Sequence, residues 1–242
     1  MAQKIQAIVI KSSDKKEKDK NILLFSIENG KFWVTLKGVK SSGAKMKLAQ
    51  NPFCFGEFLI EETKAGKVVT GFDLIESFYE ITQDADKYFE GIAVLEVLNS
   101  IDENSQSELA KIFVLTLKTL KSICFSKTKL YYSLDKFLIE FLNSQGFLFD
   151  FNKCSCCKTT AFDKMYIDYS TGELVCTNCK NFNCEELSKT TFMALKILSN
   201  TEFEKLGTLT LSQGSELALL KILTKDFESR FEKRLKFMGI LS

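Results

Sequence analysis

Four cysteines have the spacing that metal chemistry asks for. Cys154 and Cys157, followed by Cys176 and Cys179, make a C-x2-C-x18-C-x2-C pattern. A two-residue gap lets both sulfurs of a pair reach one tetrahedral Zn2+ without strain, and the distance between the pairs lies inside the window that reads as a zinc site. Two disulfides or four reduced thiols are the alternatives. Cys156 and Cys184 are spare sulfurs nearby. Cys156 and Cys157 are adjacent and do not easily serve one tetrahedral ion together, and Cys157 keeps the two-residue gap. Four thiolates leave no coordination position for water, so one structural Zn2+ is expected rather than a catalytic one. Between the pairs, 165–169 and 173–175 read as two short strands around Ser170-Thr171-Gly172.

The second candidate chemistry is anion binding. Residues 1–50 carry 11 Lys against four Asp/Glu, a net of +7, whereas residues 51–150 carry a net of −7 and residues 151–242 a net of +2. Four thiolates around one divalent ion would bring the overall +2 to about zero, so the distribution of charge matters more than its total. A positive first third beside an acidic middle points to an anion-binding face. A solubilising surface in a chain of 31 Lys and two Arg is the bland alternative.

The lysines fall in two loops. Lys15, Lys16, Lys18 and Lys20 occupy the first, and Lys37, Lys40, Lys45 and Lys47 the second. Lysines so placed would contact phosphates, adding salt-dependent affinity without sequence choice. Trp33 alternates away from Phe32, Val34 and Leu36, beside Thr35 and Lys37. It is a candidate platform for base stacking. Its alternative role is packing under a second domain or closing the barrel.

Little in the sequence points to enzymatic machinery. The chain has no His, which removes the commonest general base and every Ser-His or Cys-His pair. No P-loop, dinucleotide-binding or nucleophile-elbow motif occurs; Gly66-Lys67 lacks the partners a P-loop needs. No stretch reaches the ~18 uncharged apolar residues of a membrane span. Met1 to Lys11 has only short apolar runs broken by Gln3, Lys4 and Gln6. No export signal is therefore expected, and cysteines with zinc spacing fit a reducing cytoplasm.

These groups need elements to hold them. Strands are expected over 4–11, 21–28, 31–36, 52–61 and 68–79, with a tight turn at Asn29-Gly30. A polar loop is expected over 12–20 and a basic loop over 38–47. Ile8 and Ile10 are expected on one face of the first strand and Ile5, Ala7 and Val9 on the other. Five short strands joined by basic loops predict an OB-fold barrel. From Ile81 the period turns helical. Helices are expected over 85–100, with Tyr88, Ile92 and Leu95 on one stripe, and over 107–123, capped by Ser107. Further helices are expected over 128–145, ended by an αL glycine at Gly146, over 188–199, capped by Ser188, and over 215–238. The 22 Phe are expected mainly in helix cores. The fold class is α+β: an N-terminal OB-fold β-barrel over 1–80, then an all-helical C-terminal domain over 81–242 with an inserted four-cysteine zinc-finger module at about 150–185.

In this order of parts the chain resembles the RecO family of recombination mediators. The resemblance runs nearly end to end. It begins with Val9-Ile10-Lys11-Ser12, Glu17-Lys18-Asp19 and Leu23-Leu24-Phe25, and continues through Asn29-Gly30-Lys31, Leu36-Lys37-Gly38-Val39-Lys40 and Asn51-Pro52-Phe53. It is most specific in Phe141-Leu142-Asn143-Ser144-Gln145-Gly146-Phe147 leading to the first cysteine pair. Gly172, Cys176-Thr177-Asn178-Cys179 and Arg234-Leu235-Lys236-Phe237-Met238 complete it. The resemblance implies binding of single- and double-stranded DNA, annealing of complementary strands and contact with the C-terminal tail of the single-strand-binding protein. It further implies action with RecR in loading RecA onto coated DNA, without covalent chemistry and in the nucleoid-associated cytoplasm. The family often has arginines where this chain has Lys37, Lys40, Lys45 and Lys47; lysine keeps the charge and loses the bidentate fork. The competing class is a zinc-stabilised protein–protein adaptor without direct DNA binding.

Overall fold

Period-two apolar patterning closes the first part of the chain on itself. In a computed structural model, which describes residues 2–15, 17–39, 43–101, 106–125, 127–147, 149–161 and 163–240, five strands form a closed barrel. They are β1 (Ala2–Asp14), β2 (Lys20–Ser26), β3 (Gly30–Leu36), β4 (Phe55–Thr63) and β5 (Gly66–Glu76). Their order is β1-β2-β3-β5-β4, with β4 back on β1. Neighbours are antiparallel except β3 and β5, whose brief parallel contact at Thr35–Val68 and Leu36–Val69 seals the barrel. Ile22, Leu24, Val34, Leu36, Phe58 and Phe72 fill its interior, with the last two rings 4.7 Å apart.

One irregularity decides which side chains face out. Ile5, Ala7 and Val9 point into the barrel, but the register with β2 shifts between Val9 and Lys11. A β-bulge adds one unpaired residue and reverses the parity that follows. Ser12 therefore stands opposite the inward Ile22, and Lys11 opposite the outward Leu23. Strand β1 also runs on through Asp14, into residues expected to be loop.

Within 38–47, expected to be a loop, α1 (Ala44–Leu48) forms a single turn with no side-chain cap. Outside the barrel, Ile8 pairs with Phe25 on one side and Phe55 on the other, and the Phe113 ring lies 5.8 Å from each of theirs. Phe113 belongs to α3 (Gln106–Phe125), which begins one residue before the expected cap Ser107. Helix α2 (Ala85–Ser100) is capped by the Asp84 carboxylate, which accepts from the N–H groups of Asp86 and Lys87 at 3.0 Å. It comes so close to Phe53 and Ile81 that a Cβ on Gly91 would sit 2.8 Å from the Phe53 ring. Leu95 of its expected stripe is buried, together with Val94 and Leu98, whereas Tyr88 on the same stripe is half exposed.

The chain divides into two compact units, 1–120 and 121–242, so α2 and most of α3 group with the barrel although the strands end near residue 80. In the second unit, α4 (Tyr132–Ser144), α5 (Lys189–Asn200) and α6 (Ser215–Phe231) bury a ring cluster in which Phe141 lies 5.7 Å from Phe227 and Phe227 stacks 4.5 Å from Phe231. Helix α4 starts later than expected because Tyr131 has φ +73°, and it ends as expected at Gly146 with φ +89°. There the N–H groups of Gly146 and Phe147 donate to the carbonyls of Asn143 and Leu142 at 3.0 Å. Ser188 caps α5 by accepting from the Thr191 N–H at 3.1 Å. The expected single helix over 215–238 stops at Phe231, because Glu232 turns left-handed, and a 3-10 turn follows at Lys236–Ile240.

Candidate nucleic-acid face and cysteine cluster

The cysteine cluster is built by a small sheet. β6 (Met165–Asp168) pairs with β7 (Glu173–Cys176) as the expected hairpin, and β8 (Cys184–Leu187), unforeseen in its polar sequence, adds to the other edge of β6. Gly172 carries the hairpin turn at φ +64°. The sheet delivers Cys176, the loop before it Cys154 and Cys157, and the turn after it Cys179.

The four sulfurs lie within 4.8 Å of one another, with 3.8 Å between those of Cys157 and Cys176. Cys156 is not one of this group of four, although its thiol hydrogen-bonds that of Cys179, and the Cys184 sulfur accepts the Asn181 N–H at 3.2 Å. Burial pushes the Cys154 thiol up, yet backbone N–H groups of Cys157, Cys176 and Cys156 aimed at its sulfur outweigh this and bring its pKa down to about 6. The Cys179 thiol moves the opposite way, chiefly through its hydrogen bond to Cys157. Thiols this close cannot all ionise unless they share a cation. Four clustered sulfurs, with N–H groups directed at that of Cys154, therefore make a donor set that could hold a metal ion.

The module is tied to α6. The Ser229 hydroxyl donates to the Tyr169 carbonyl at 2.8 Å, and Lys225 pairs with Glu185 at 2.6 Å. The Arg230 guanidinium fills the space a Gly172 Cβ would need, and lies 3.8 Å from the Phe147 ring centre. Arg230 Nε is 2.9 Å from the buried Asp226 carboxylate, close enough to pair but not aligned as a hydrogen bond. Burial pushes the Asp226 carboxyl up, against the pull of Arg230.

On the barrel, two rows of outward residues cross β1, β2 and β3. The first is Lys11, Leu23 and Trp33; the second is Ser13, Asn21 and Thr35, with Leu23 and Thr35 themselves buried between their neighbours. Trp33 is 49% exposed and so is not packed beneath another element. The Thr35 hydroxyl accepts from Lys15 Nζ at 2.9 Å and donates to Asn21 Oδ1 at 3.1 Å, which fixes Lys15 at the edge of this face. Neither row contains an acidic residue.

Of the other lysines read from sequence, Lys18, Lys37 and Lys47 are exposed. Lys20 is partly buried, 3.9 Å from Asp14. Lys16 and Lys40 lie outside the described residues, as does the side chain of Lys45. Lys11 was not singled out in the sequence: without the bulge its parity would place it with Val9, inside the barrel.

Comparison with known proteins bears on both regions. The family described as "Recombination protein O N terminal" matches residues 1–78, and "Recombination protein O C terminal" matches residues 82–238. The chain belongs to the RecO family. Similar relatives carry the name DNA repair protein RecO. One from Clostridium novyi (strain NT) is 27% identical over 99% of this chain and 93% of its own length. One from Desulforamulus reducens is 28% identical over 96% and 91%, and one from Clostridium perfringens 26% identical over 97% and 95%. RecO membership thus spans the barrel, the helices and the cysteine module. Among the described residues, no helix is long and apolar enough to cross a membrane.

Proposed function

We propose that this chain is a recombination mediator that binds single- and double-stranded DNA on the outer face of its barrel and anneals complementary strands. It acts with RecR to load RecA onto DNA coated by the single-strand-binding protein, whose C-terminal tail it contacts. It performs no covalent chemistry, and its place is the cytoplasm, with the nucleoid. The observation that carries this reading is the exposed Trp33 in a row with Lys11 and Leu23, beside a second row that also has no acidic residue, in a chain of the RecO family. An exposed indole offers a π-face to any unpaired base, and flanking lysines take the phosphates. Cys154, Cys157, Cys176 and Cys179 hold one Zn2+ whose role is structural.

Replacing Lys37, Lys40, Lys45 and Lys47 together by Glu should abolish binding to single-stranded DNA at moderate salt. Unchanged affinity would refute the assigned face. An adaptor without a nucleic-acid role would instead bind its protein partner independently of salt and shift no DNA.

A further inference from the structure

Beside the barrel face, the first unit holds a cavity of about 320 Å3 to which the proposed DNA face gives no role. It lies between the segment that follows α1, the end of β5 and the start of α2. Tyr79, Tyr88 and Leu48, three of the molecule's exposed large apolar side chains, gather around this one space. Single exposed apolar residues are ordinary on a protein surface; a group of them at a concavity marks a binding site. The volume is at the small end for ligand sites, enough for one ring system and too little for a helix.

The lining suits a flat heteroaromatic group. Tyr79 is 60% exposed, and Tyr88 meets the Phe53 ring edge-on at 6.0 Å, so three aromatic rings contribute to the walls. Asn51, Ser77 and Thr82 are the polar residues of the lining. Among the described residues no carboxylate lines the cavity itself, and its one thiol, Cys54, is held neutral because burial, with the nearby Glu76 carboxylate, pushes its pKa up to about 12. Lys47, exposed on α1, directly precedes the lining residue Leu48.

The cavity also stands beside the Trp33 row. The Phe53 N–H donates to the Val9 carbonyl at 3.0 Å, and the Val9 N–H to the Cys54 carbonyl at 2.9 Å. Residues 53 and 54 thus flank β1 on one edge, two residues from Lys11, while β2 takes the other edge and leads to Leu23 and Trp33. Two residues along a strand and three strand spacings separate the sites, roughly 16 Å.

We propose that this cavity takes one unpaired base of the same strand that stacks on Trp33, with Tyr79 and Tyr88 as its walls and Lys47 on the adjoining phosphate. The assignment rests on the single-strand reading of the barrel face. It makes the footprint continuous from α1 across β1 to β3, and it distinguishes single strands from duplex, whose bases are not free to enter.

The test uses the full chain and oligonucleotides carrying one 2-aminopurine, read by anisotropy and by fluorescence of the probe. Trp33 is the only tryptophan, so its emission reports the barrel face separately. Tyr79→Ala, at an exposed position, should weaken single-strand binding about tenfold, and Tyr88→Ala should do the same. The 2-aminopurine response should disappear, duplex affinity should be unchanged and quenching of Trp33 at saturating DNA should persist. Tyr79→Phe should restore the loss. If both alanine variants bind single strands like the parent while Trp33 is quenched, the cavity is not a base site. Equal losses for single strands and duplex would also overturn it, as would a loss confined to binding the single-strand-binding protein, which would make the cavity a protein pocket. If DNA leaves Trp33 emission unchanged even in the parent, the underlying reading of the face fails instead.

Discussion

The barrel face and the cysteine module handle polar groups in opposite ways. On the barrel, Lys11, Lys18, Lys37, Lys47 and the Trp33 indole are all exposed. Exposed charges contribute little to folding and remain available to a partner. In the module the polar groups turn inward. Cys154 and Cys176 are buried, Asp168 is nearly so, and Arg230 with Asp226 is enclosed beneath Gly172. Such groups are costly to leave unpaired, so each has to be matched to another. On the proposed reading, one region meets a partner and the other holds the chain together. Damage to the first should appear in binding, and damage to the second in stability.

The largest effect should follow from breaking the cysteine quartet. Cys176→Ser should remove one metal ion per chain and destabilise the second unit by on the order of 5 kcal/mol, since structural zinc contributes folding energy directly. Elemental analysis and thermal melting would read both. Cys156→Ser, outside the quartet, should change neither. A metal-free protein that melts like the parent would remove the contrast between the regions.

Gly172→Ala should come next, at about 3 kcal/mol by urea unfolding. Its Cβ would occupy the space of the Arg230 guanidinium, and φ is +64° at that turn. Loss of DNA affinity without loss of stability would mean that the module, too, is a contact surface.

Asp168 gives a smaller effect with a pH signature. Burial raises its pKa, but the Ser170 hydroxyl and N–H and the Asn181 amide donate to it and bring it below 3.8. A carboxylate with a depressed folded pKa stabilises above the unfolded value and loses that contribution as pH falls through the folded one. Asp168→Asn should therefore cost about 1–2 kcal/mol at pH 7. The difference from the parent should shrink as pH drops below about 4, measured as unfolding free energy at each pH.

The smallest effect belongs to the face. Lys11→Ala should lower single-strand affinity a few-fold and reduce the slope of log affinity against log salt by about 0.7, with the melting temperature unchanged. An unaltered slope would place Lys11 away from the phosphate path.

Much of this contrast was legible in the residues themselves. The spacing of Cys154, Cys157, Cys176 and Cys179 is a local constraint, and strand alternation alone turns Trp33 outward. Gly146 ends α4 where an αL glycine should. What stayed hidden depends on pairings that sequence does not carry. Lys11 faces out only because a bulge at Ile10 resets parity, and that bulge is a property of the β1–β2 register. Helix α1 is one uncapped turn within a lysine-rich run, so it reads as loop. Helix α6 stops at Glu232 with neither glycine nor proline to announce it. β8 is Cys-Glu-Glu-Leu, without the alternation of a strand, and forms because β6 has a free edge. The contact of Arg230 with Gly172 joins residues far apart in the chain.

The central claim is that the barrel face binds unpaired DNA at Trp33. It is tested most directly by titrating the intact protein with a short single-stranded oligonucleotide at several salt concentrations, following Trp33 emission and oligonucleotide anisotropy together. Quenching that tracks binding, with a midpoint that moves to higher DNA concentration as salt rises, is the expected result. Binding that proceeds by anisotropy while Trp33 emission stays constant would contradict it.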